Sequence, residues 1–383
     1  MSRMFLLLIC IGSFIGNIQA STPNLETCYP DSCVAVVDAG STGTRLHVYS
    51  FERNQSQLPI NIKEVWSKQI RPGFATLEPS QDTVNAYLNI LFSDALATNI
   101  PVYFYATAGM RLLSGPKQAS YYNALRQWFK HHSQWKLIDS KTISGREEGL
   151  FGWLSVNYQL KVLDQDKPEN YAGVMDMGGA SVQIVFPVKH TENINPEDIV
   201  EVDVYGKKIK LYAHSFLGLG QTVFAYQFLD ERSCFANNYQ LPSGVTGQGD
   251  SQTCQAGVSK LINLVHEVNG KVQPVLAEKQ SEKWYVLGGI KYLLEDKPFH
   301  FEEDHFTSEQ LLEQGNNEVC NKSWEELTTE NPNHETLYNY CLLPSYYYAL
   351  IVNGYGLNAE QPIYMLPGQN SADWTLGVVL HQH

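Results

Sequence analysis

Several absences narrow the possibilities for this chain. Beyond residue 20 it has no apolar run long enough to cross a bilayer. Cysteines number seven in 383 residues, with no CxxC pair, and no HExxH motif occurs. That counts against a zinc site. No G-x-x-x-x-G-K-[ST] segment is present, which excludes a P-loop mechanism. Positive charge is scarce: 27 Lys and Arg against 40 Asp and Glu give a formal net charge of −13. Such a surface is unsuited to a nucleic acid polymer, which is held by Lys and Arg neutralising its phosphates. Nothing marks the chain as disordered. At 43% apolar it can bury a sizeable core, and its length gives room for two ordinary domains.

The first twenty residues stand apart. Arg3 precedes an apolar run from Phe5 to Ile18, and Ala20 offers a small residue before Ser21. This reads as a cleaved export signal rather than a span. Removing it would leave a secreted or periplasmic chain with 26 basic and 40 acidic residues and six cysteines: Cys28, Cys33, Cys234, Cys254, Cys320 and Cys341. An even count in an exported chain reads as three disulfides. Six cysteines allow 15 pairings. The sequence neighbours, Cys28–Cys33, Cys234–Cys254 and Cys320–Cys341, are the economical choice.

Two stretches carry the chemistry. Val34–Tyr49 and Gly173–Phe186 each open with a short apolar run, reach an Asp, turn through Gly and small residues, and leave through a second apolar run. Each is expected to be a strand–tight turn–strand hairpin. Gly lets the backbone approach a ligand closely, successive N–H groups in such a turn make an anion nest, and the Asp offers hard oxygen to a cation. One copy would be unremarkable as an ordinary hairpin. Asp38 and Asp176 lie 138 positions apart, so the pair suggests an internal duplication with each half giving one phosphate hairpin to a shared cleft.

Between them, residues 81–99 and 119–132 have helical apolar spacing. Val102–Arg111 reads as a strand entering a small-residue turn. Ser144 with Glu147 three residues on is a capping box, so a helix starts there. That gives Glu147 a structural role and leaves Glu148, about 100° further round, without one. Gly149 and Gly152 on the same helix each weaken it, which points to close approach by a backbone or a ligand. Trp284–Ile290 reads as a buried strand ending in glycines. Of the consecutive Tyr346, Tyr347 and Tyr348, at least one of the last two should line the core.

These segments together resemble a known family. Asp38–Arg45 (D-A-G-S-T-G-T-R) and Asp176–Gln183 (D-M-G-G-A-S-V-Q) are similar to the two phosphate loops of the actin, sugar-kinase and heat-shock-ATPase superfamily. Within it they resemble the nucleoside triphosphate diphosphohydrolases, or apyrases. Ala106–Arg111 (A-T-A-G-M-R), Gly145–Trp153 (G-x-E-E-G-x-x-G-W), His214–Gly220 (H-S-F-L-G-x-G), Cys341–Gly356 (C-x-x-x-x-Y…G-Y-G) and Asp373–Gly377 (D-W-x-L-G) follow in the family's order. The likeness therefore spans nearly the whole mature chain. One departure is plain: Thr42-Gly43-Thr44-Arg45 stands where surface apyrases carry a His-containing loop. This version looks more like the soluble and Golgi-type members, which often prefer diphosphates, so triphosphate and diphosphate preference both stay open.

The resemblance implies an α/β fold of two ribonuclease H-like (actin-like) lobes, mixed sheets flanked by helices, with the active site in the cleft between them. Lobe I is expected over 21–160 and lobe II over 161–363, with a helix within 364–383 returning to lobe I. It implies stepwise removal of terminal phosphates from nucleoside tri- and diphosphates down to the monophosphate, by a monomer without a membrane span. Glu148 would be the catalytic base, with Ser181 and Gln183 orienting the water. Asp38, Asp176 and Thr107 would hold Mg²⁺ or Ca²⁺, largely through water. Gly40, Ser41, Thr42, Gly43, Gly178, Gly179, Ala180 and Ser181 would cradle the phosphates, and Tyr346 would stack on the base. An acidic protein that binds an anionic nucleotide must supply local positive potential, which a divalent cation and backbone N–H groups provide. A nucleotide-binding module or a kinase of the same superfamily is the alternative.

Overall fold

The computed structural model describes residues 28–93, 99–165, 167–302, 304–366 and 373–382. The expected leader and its cleavage point after Ala20 lie outside them. The first half of the chain runs β1 (Cys33–Ala39), β2 (Thr44–Arg53), β3 (Pro59–Ile70), α1 (Gln81–Leu91), β4 (Ile100–Ala106), the single turn α2 (Ala108–Arg111), α3 (Gly115–Lys130) and β5 (Trp135–Thr142). These strands form a sheet of order β3-β2-β1-β4-β5, antiparallel in the meander and parallel across β1, β4 and β5. After α4 (Gly145–Gln159) come β6 (Gly173–Met177), β7 (Ser181–Pro187), β8 (Ile199–Val204), β9 (Lys207–Leu217), α5 (Gln221–Ala225), α6 (Ser251–Leu264), α7 (Val268–Leu276), β10 (Trp284–Gly288) and α8 (Gly289–Glu295). The chain closes with β11 (His305–Phe306), α9 (Ser308–Gly315), α10 (Trp324–Glu330), α11 (Leu342–Tyr348), β12 (Ile363–Tyr364) and α12 (Thr375–Gln382).

The second sheet has the order β11-β12-β10-β6-β7-β9-β8. Its middle repeats the first. The hairpin β6–β7 stands as β1–β2, β9 as β3, and β10 and β12 lie parallel to β6 as β4 and β5 do to β1. The duplication suggested by the two Asp-Gly turns is thus a duplication of whole sheets.

Strand alternation sets what each sheet shows to its two sides. In β1, Ala35, Val37 and Ala39 pack outward with α1 and α3, while Val34 and Val36 join a central core. In β6, Met175 and Met177 pack outward and Val174 faces the centre. Asp38 and Asp176 share parity with Val36 and Val174, so both carboxylates look into the layer between the sheets.

That central layer is α4 and α12. The capping box at the start of α4 forms: Glu147 N donates to Ser144 Oγ (3.1 Å) and Ser144 N donates to Glu147 Oε2 (2.8 Å). From Glu148 to Asn157 the helix is buried on all sides, which is why its sequence lacks an amphipathic stripe. The glycines have a packing reason. A Cβ on Gly149 would sit 2.8 Å from Val185 Cγ2, and one on Gly152 would sit 3.2 Å from Leu287 Cδ1. On its other side α4 meets α12, which also packs on β1.

The expected helices appear with shifted ends. The first stops at Leu91, and the second begins at Gly115 because Pro116 fits the first turn. Their expected apolar faces, from Val84 to Leu91 and from Tyr121 to Phe129, are buried. The disulfides join Cys28–Cys33, Cys234–Cys254 and Cys320–Cys341. Among the described residues no helix is long and apolar enough to cross a membrane.

The tightest helix contact is testable. A Cβ on Gly377 of α12 would lie 2.0 Å from the Phe151 carbonyl oxygen of α4. Gly377→Ala is expected to destabilise the protein by about 3 kcal/mol, read from the urea midpoint. An unchanged midpoint would mean the two helices can part without cost.

Candidate active site

Parallel pairing brings the ends of β1 and β4 side by side, with Ala39 opposite Ala106. Asp38 at the end of β1 and Thr107 just past β4 therefore meet the same space, and Thr107 N donates to Ala39 O (3.3 Å). The second hairpin is tied from behind. Gln221 N donates to Gly178 O, and Thr222 N and Val223 N donate to Gly179 O, which turns these carbonyls toward the start of α5. The two turns then touch. A Cβ on Gly179 would lie 2.6 Å from Ser41 Oγ and 3.1 Å from Thr42 Cγ2, so only glycine lets the loops approach this closely.

A cleft of about 520 Å³ opens over this junction. It is lined by Asp38, Gly40–Gly43, Thr107, Glu148, Asp176 and Gly178–Ser181, and by Asp373 and Trp374 from the start of the α12 segment. Gly288 at the end of β10 and Gly289 at the start of α8 also reach it. Both loops, the two aspartates, Thr107, Glu148 and Ser181 are thus brought together. Gln183 stands directly behind them.

Glu148 sits in a polar network. Arg111 ion-pairs with Glu148 Oε2 and its Nη2 donates to Ser181 Oγ (3.1 Å). Gln183 Nε2 donates to Ser181 Oγ (2.7 Å), Glu148 Oε2 (3.3 Å) and Ser215 Oγ (3.0 Å). Burial raises the Glu148 carboxyl above its ordinary range, and Arg111 opposes that rise. Gln183 Oε1 is closed off from solvent and meets no donor among the described residues.

The other carboxylates are crowded. Burial pushes Asp38 up to about 7; Arg45 opposes, while Asp373 and Glu148 add to the rise. Asp176 is raised well above the usual carboxylate range by burial and then by Glu148, Asp38 and Asp373. Asp38 Oδ1 is shut from solvent without a partner among the described residues. Buried hard oxygens that repel one another, one of them unpartnered, are a donor set that fits a divalent cation.

Asp373 behaves oppositely. Burial would raise it, but His47, then hydrogen bonds from Thr375, hold it down at about 2. His47 lies between two acids: Nδ1 is 2.9 Å from Glu64 Oε2 and Nε2 is 2.9 Å from Asp373 Oδ2. Burial would lower the imidazole, but Asp373 and Glu64 outweigh it and raise it to about 10.

One expected residue does not reach the cleft. Tyr346 is 0% exposed, packs against Phe224 (4.6 Å between ring centres) and Tyr347 (4.8 Å), and its hydroxyl donates to Leu219 O. The base-stacking role assigned to it is corrected: α11 turns this face into the outer core of the second sheet. The tyrosines that do line the cleft are Tyr226, Tyr292, Tyr338 and Tyr340. Sequence reasoning gave no role to Arg111, Asp373 or His47. Arg111 closes the A-T-A-G-M-R segment and Asp373 opens D-W-x-L-G, so both stood inside noted motifs. His47 pairs in register with inward-facing Val36, and a buried histidine there calls for partners.

Comparison with known proteins agrees with this geometry. The GDA1/CD39 (nucleoside phosphatase) family matches residues 30–383. The chain is 26% identical to mouse ectonucleoside triphosphate diphosphohydrolase 1 over 90% of this chain and 80% of that one. It is 27% identical to chicken ectonucleoside triphosphate diphosphohydrolase 8 over 97% and 87%. Among solved structures, a nucleoside triphosphate hydrolase from Neospora caninum superposes with a TM-score of 0.62 at 17% identity over 92% of each chain. A Ppx/GppA family member from Aquifex aeolicus gives 0.55 at 14% identity, over 92% of this chain and 97% of that one. These two show the shared actin-like fold.

The His47 clasp has a signed pH dependence. Its folded pKa lies above the ordinary 6.5, so its stabilisation is full below 6.5 and is lost as pH rises through about 10. His47→Gln is expected to cost on the order of 2–4 kcal/mol near pH 6 and progressively less toward pH 10. Urea midpoints across that range are the readout; a constant difference would mean no imidazolium forms.

Proposed function

The chain belongs to the GDA1/CD39 (nucleoside phosphatase) family, and from that premise we propose that it hydrolyses terminal phosphates of nucleoside tri- and diphosphates stepwise to the monophosphate. The observation that carries this reading is the placement of a buried glutamate, Glu148, beside two touching phosphate turns in one cleft. In this reading the chain acts as a monomer of two lobes, 21–160 and 161–363, with the C-terminal helix within 364–383 returning to the first. Three disulfides fit an exported protein.

Backbone N–H groups of Gly40–Gly43 and Gly179–Ser181, with the hydroxyls of Ser41, Thr42 and Ser181, hold the phosphates, while Gly178 shapes the second turn by donating its N–H to Ser181 O (3.1 Å). Asp38 and Asp176, with Thr107, would hold Mg²⁺ or Ca²⁺ largely through water. Bound there, the cation would supply positive charge to the phosphate oxygens. Glu148 takes a proton from a water molecule as that water's oxygen bonds to the terminal phosphorus. The bridging P–O bond breaks, and the shortened nucleotide leaves with its electron pair. Arg111 opposes the rise that burial imposes on Glu148 and so favours the ionised state a base requires. Ser181 and Gln183 orient the water, Gln183 acting from behind through its Nε2 contacts with Ser181 Oγ and Glu148 Oε2.

Phosphate release from ATP, ADP, UDP and GDP, with and without chelator, tests this directly. Release is expected to require the divalent cation. Glu148→Gln is expected to lower turnover about 10²–10⁴-fold while nucleotide binding persists. Undiminished turnover in that variant, or nucleotide binding without turnover in the wild type, would sink the hydrolase mechanism.

A further inference from the structure

A second cavity lies away from the cleft. It is a groove of about 380 Å³ between α1 and α3, lined by Gln81, Asn85, Asn89, Gln127, His131 and His132 over Trp128. Both helices pack on the outward face of the first sheet, whereas the clustered carboxylates face the layer between the sheets. The sheet therefore separates this groove from the phosphate turns. Gln81, Asn85 and Asn89 stand at i, i+4 and i+8 on α1 and form one ladder of side-chain amides. Its rungs are about 6 Å apart along the helix axis. Two hydrogen bonds to α3 fix the ladder at its ends: Gln81 Nε2 donates to Ala124 O (3.0 Å), and Trp128 Nε1 donates to Asn89 Oδ1 (2.7 Å). His132 lies flat on Trp128, with ring centres 3.8 Å apart, and its Nδ1 donates to Trp128 O (2.7 Å). The walls are thus held in place before any ligand arrives, which lowers the ordering cost of binding.

These contacts use only part of each group. Gln81 Nε2 also donates to Asn85 Oδ1 (2.8 Å). Left without a partner among the described residues are Gln81 Oε1, Asn85 Nδ2, Asn89 Nδ2, His132 Nε2 and both ends of the Gln127 amide. Donors and acceptors are mixed along a lining that has no Asp, Glu, Lys or Arg. An ionic ligand would find no counter-charge there. An apolar one would find only Trp128, which is 3% exposed. A hydroxyl both donates and accepts, so it matches a side-chain amide on both counts. The hydroxyls across one pyranose ring span a distance close to the spacing of two rungs.

We propose that the groove between α1 and α3 is a binding site for a neutral saccharide. The Gln81–Asn85–Asn89 ladder holds the sugar hydroxyls from one side, and Gln127 and His131 hold them from the other. The site is separate from the nucleotide cleft, and the inference does not rest on the hydrolase reading. A sugar seated there would tether the protein to a glycan without touching the cleft.

The test is saturation-transfer NMR and calorimetry on the whole protein with D-glucose, D-galactose, D-mannose and N-acetyl-D-glucosamine, and with N-acetylglycinamide as a peptide stand-in. At least one of the four sugars is expected to bind in the millimolar range. Asn85→Ala and Gln127→Ala are each expected to weaken that binding about five- to tenfold, with urea midpoints and phosphate release unchanged. Gln127 is exposed and makes no side-chain hydrogen bond among the described residues, so its truncation reads the groove rather than the fold. No binding of any of the four sugars, or affinities unmoved in both variants, would overturn the site. Binding of N-acetylglycinamide in place of the sugars would overturn it too, and would mark the groove as one for peptide.

Discussion

Repulsion among buried carboxylates is the constraint to which the rest of the molecule answers. Asp38, Asp176, Glu148 and Asp373 line one cleft, and each raises or is raised by its neighbours. Three of them have a cation assigned: Arg45 lies 3.8 Å from Asp38, Arg111 pairs with Glu148, and His47 pairs with Asp373. Asp176 has no such partner within 4 Å among the described residues. The carboxyl group left without a cationic partner therefore lies at the second hairpin. Removing one cation from such a set costs more than adding a favourable contact gains, because it leaves a buried charge alone.

The doubled sheet is what makes this crowding possible. Each sheet ends its central strand with an inward-facing aspartate, and the helix between the sheets brings Glu148 to both. Neither hairpin could form the cleft alone. The glycine contact between the turns fixes their spacing, while Gly149, Gly152 and Gly377 let the middle layer sit close enough to hold α4 in place. The positions where this chain gives up intrinsic helix propensity are the positions where backbones must touch.

Much of this was legible in the sequence for identifiable reasons. The hairpins announce themselves through local pattern: an apolar run, an Asp, a glycine turn. The capping box separated Glu147 from Glu148 because capping is set within four residues. The cysteine neighbours pair because their short loops allow it. What escaped was tertiary. Tyr346 looked like a ligand platform, yet no local pattern tells which face of α11 meets the core. Arg111 and Glu148 are 37 residues apart, and Tyr49 and Thr375, which share a 2.7 Å hydrogen bond, are 326 apart. No local spacing connects such partners, and a buried ion pair depends on the whole fold being in place.

The α12 segment has an implication for the chain as a manufactured object. Asp373 and Trp374 form part of the cleft, and the segment is fastened to β2 through His47 and through Tyr49, so the earliest strands wait for residues from the far end of the chain. Translation proceeds from one end. A chain lacking this stretch would possess both phosphate turns, yet its central layer would be open and His47 would have lost Asp373, one of its two acidic partners. The cleft and the layer beneath it are thus completed by residues 373–382, which no earlier segment replaces among the described residues.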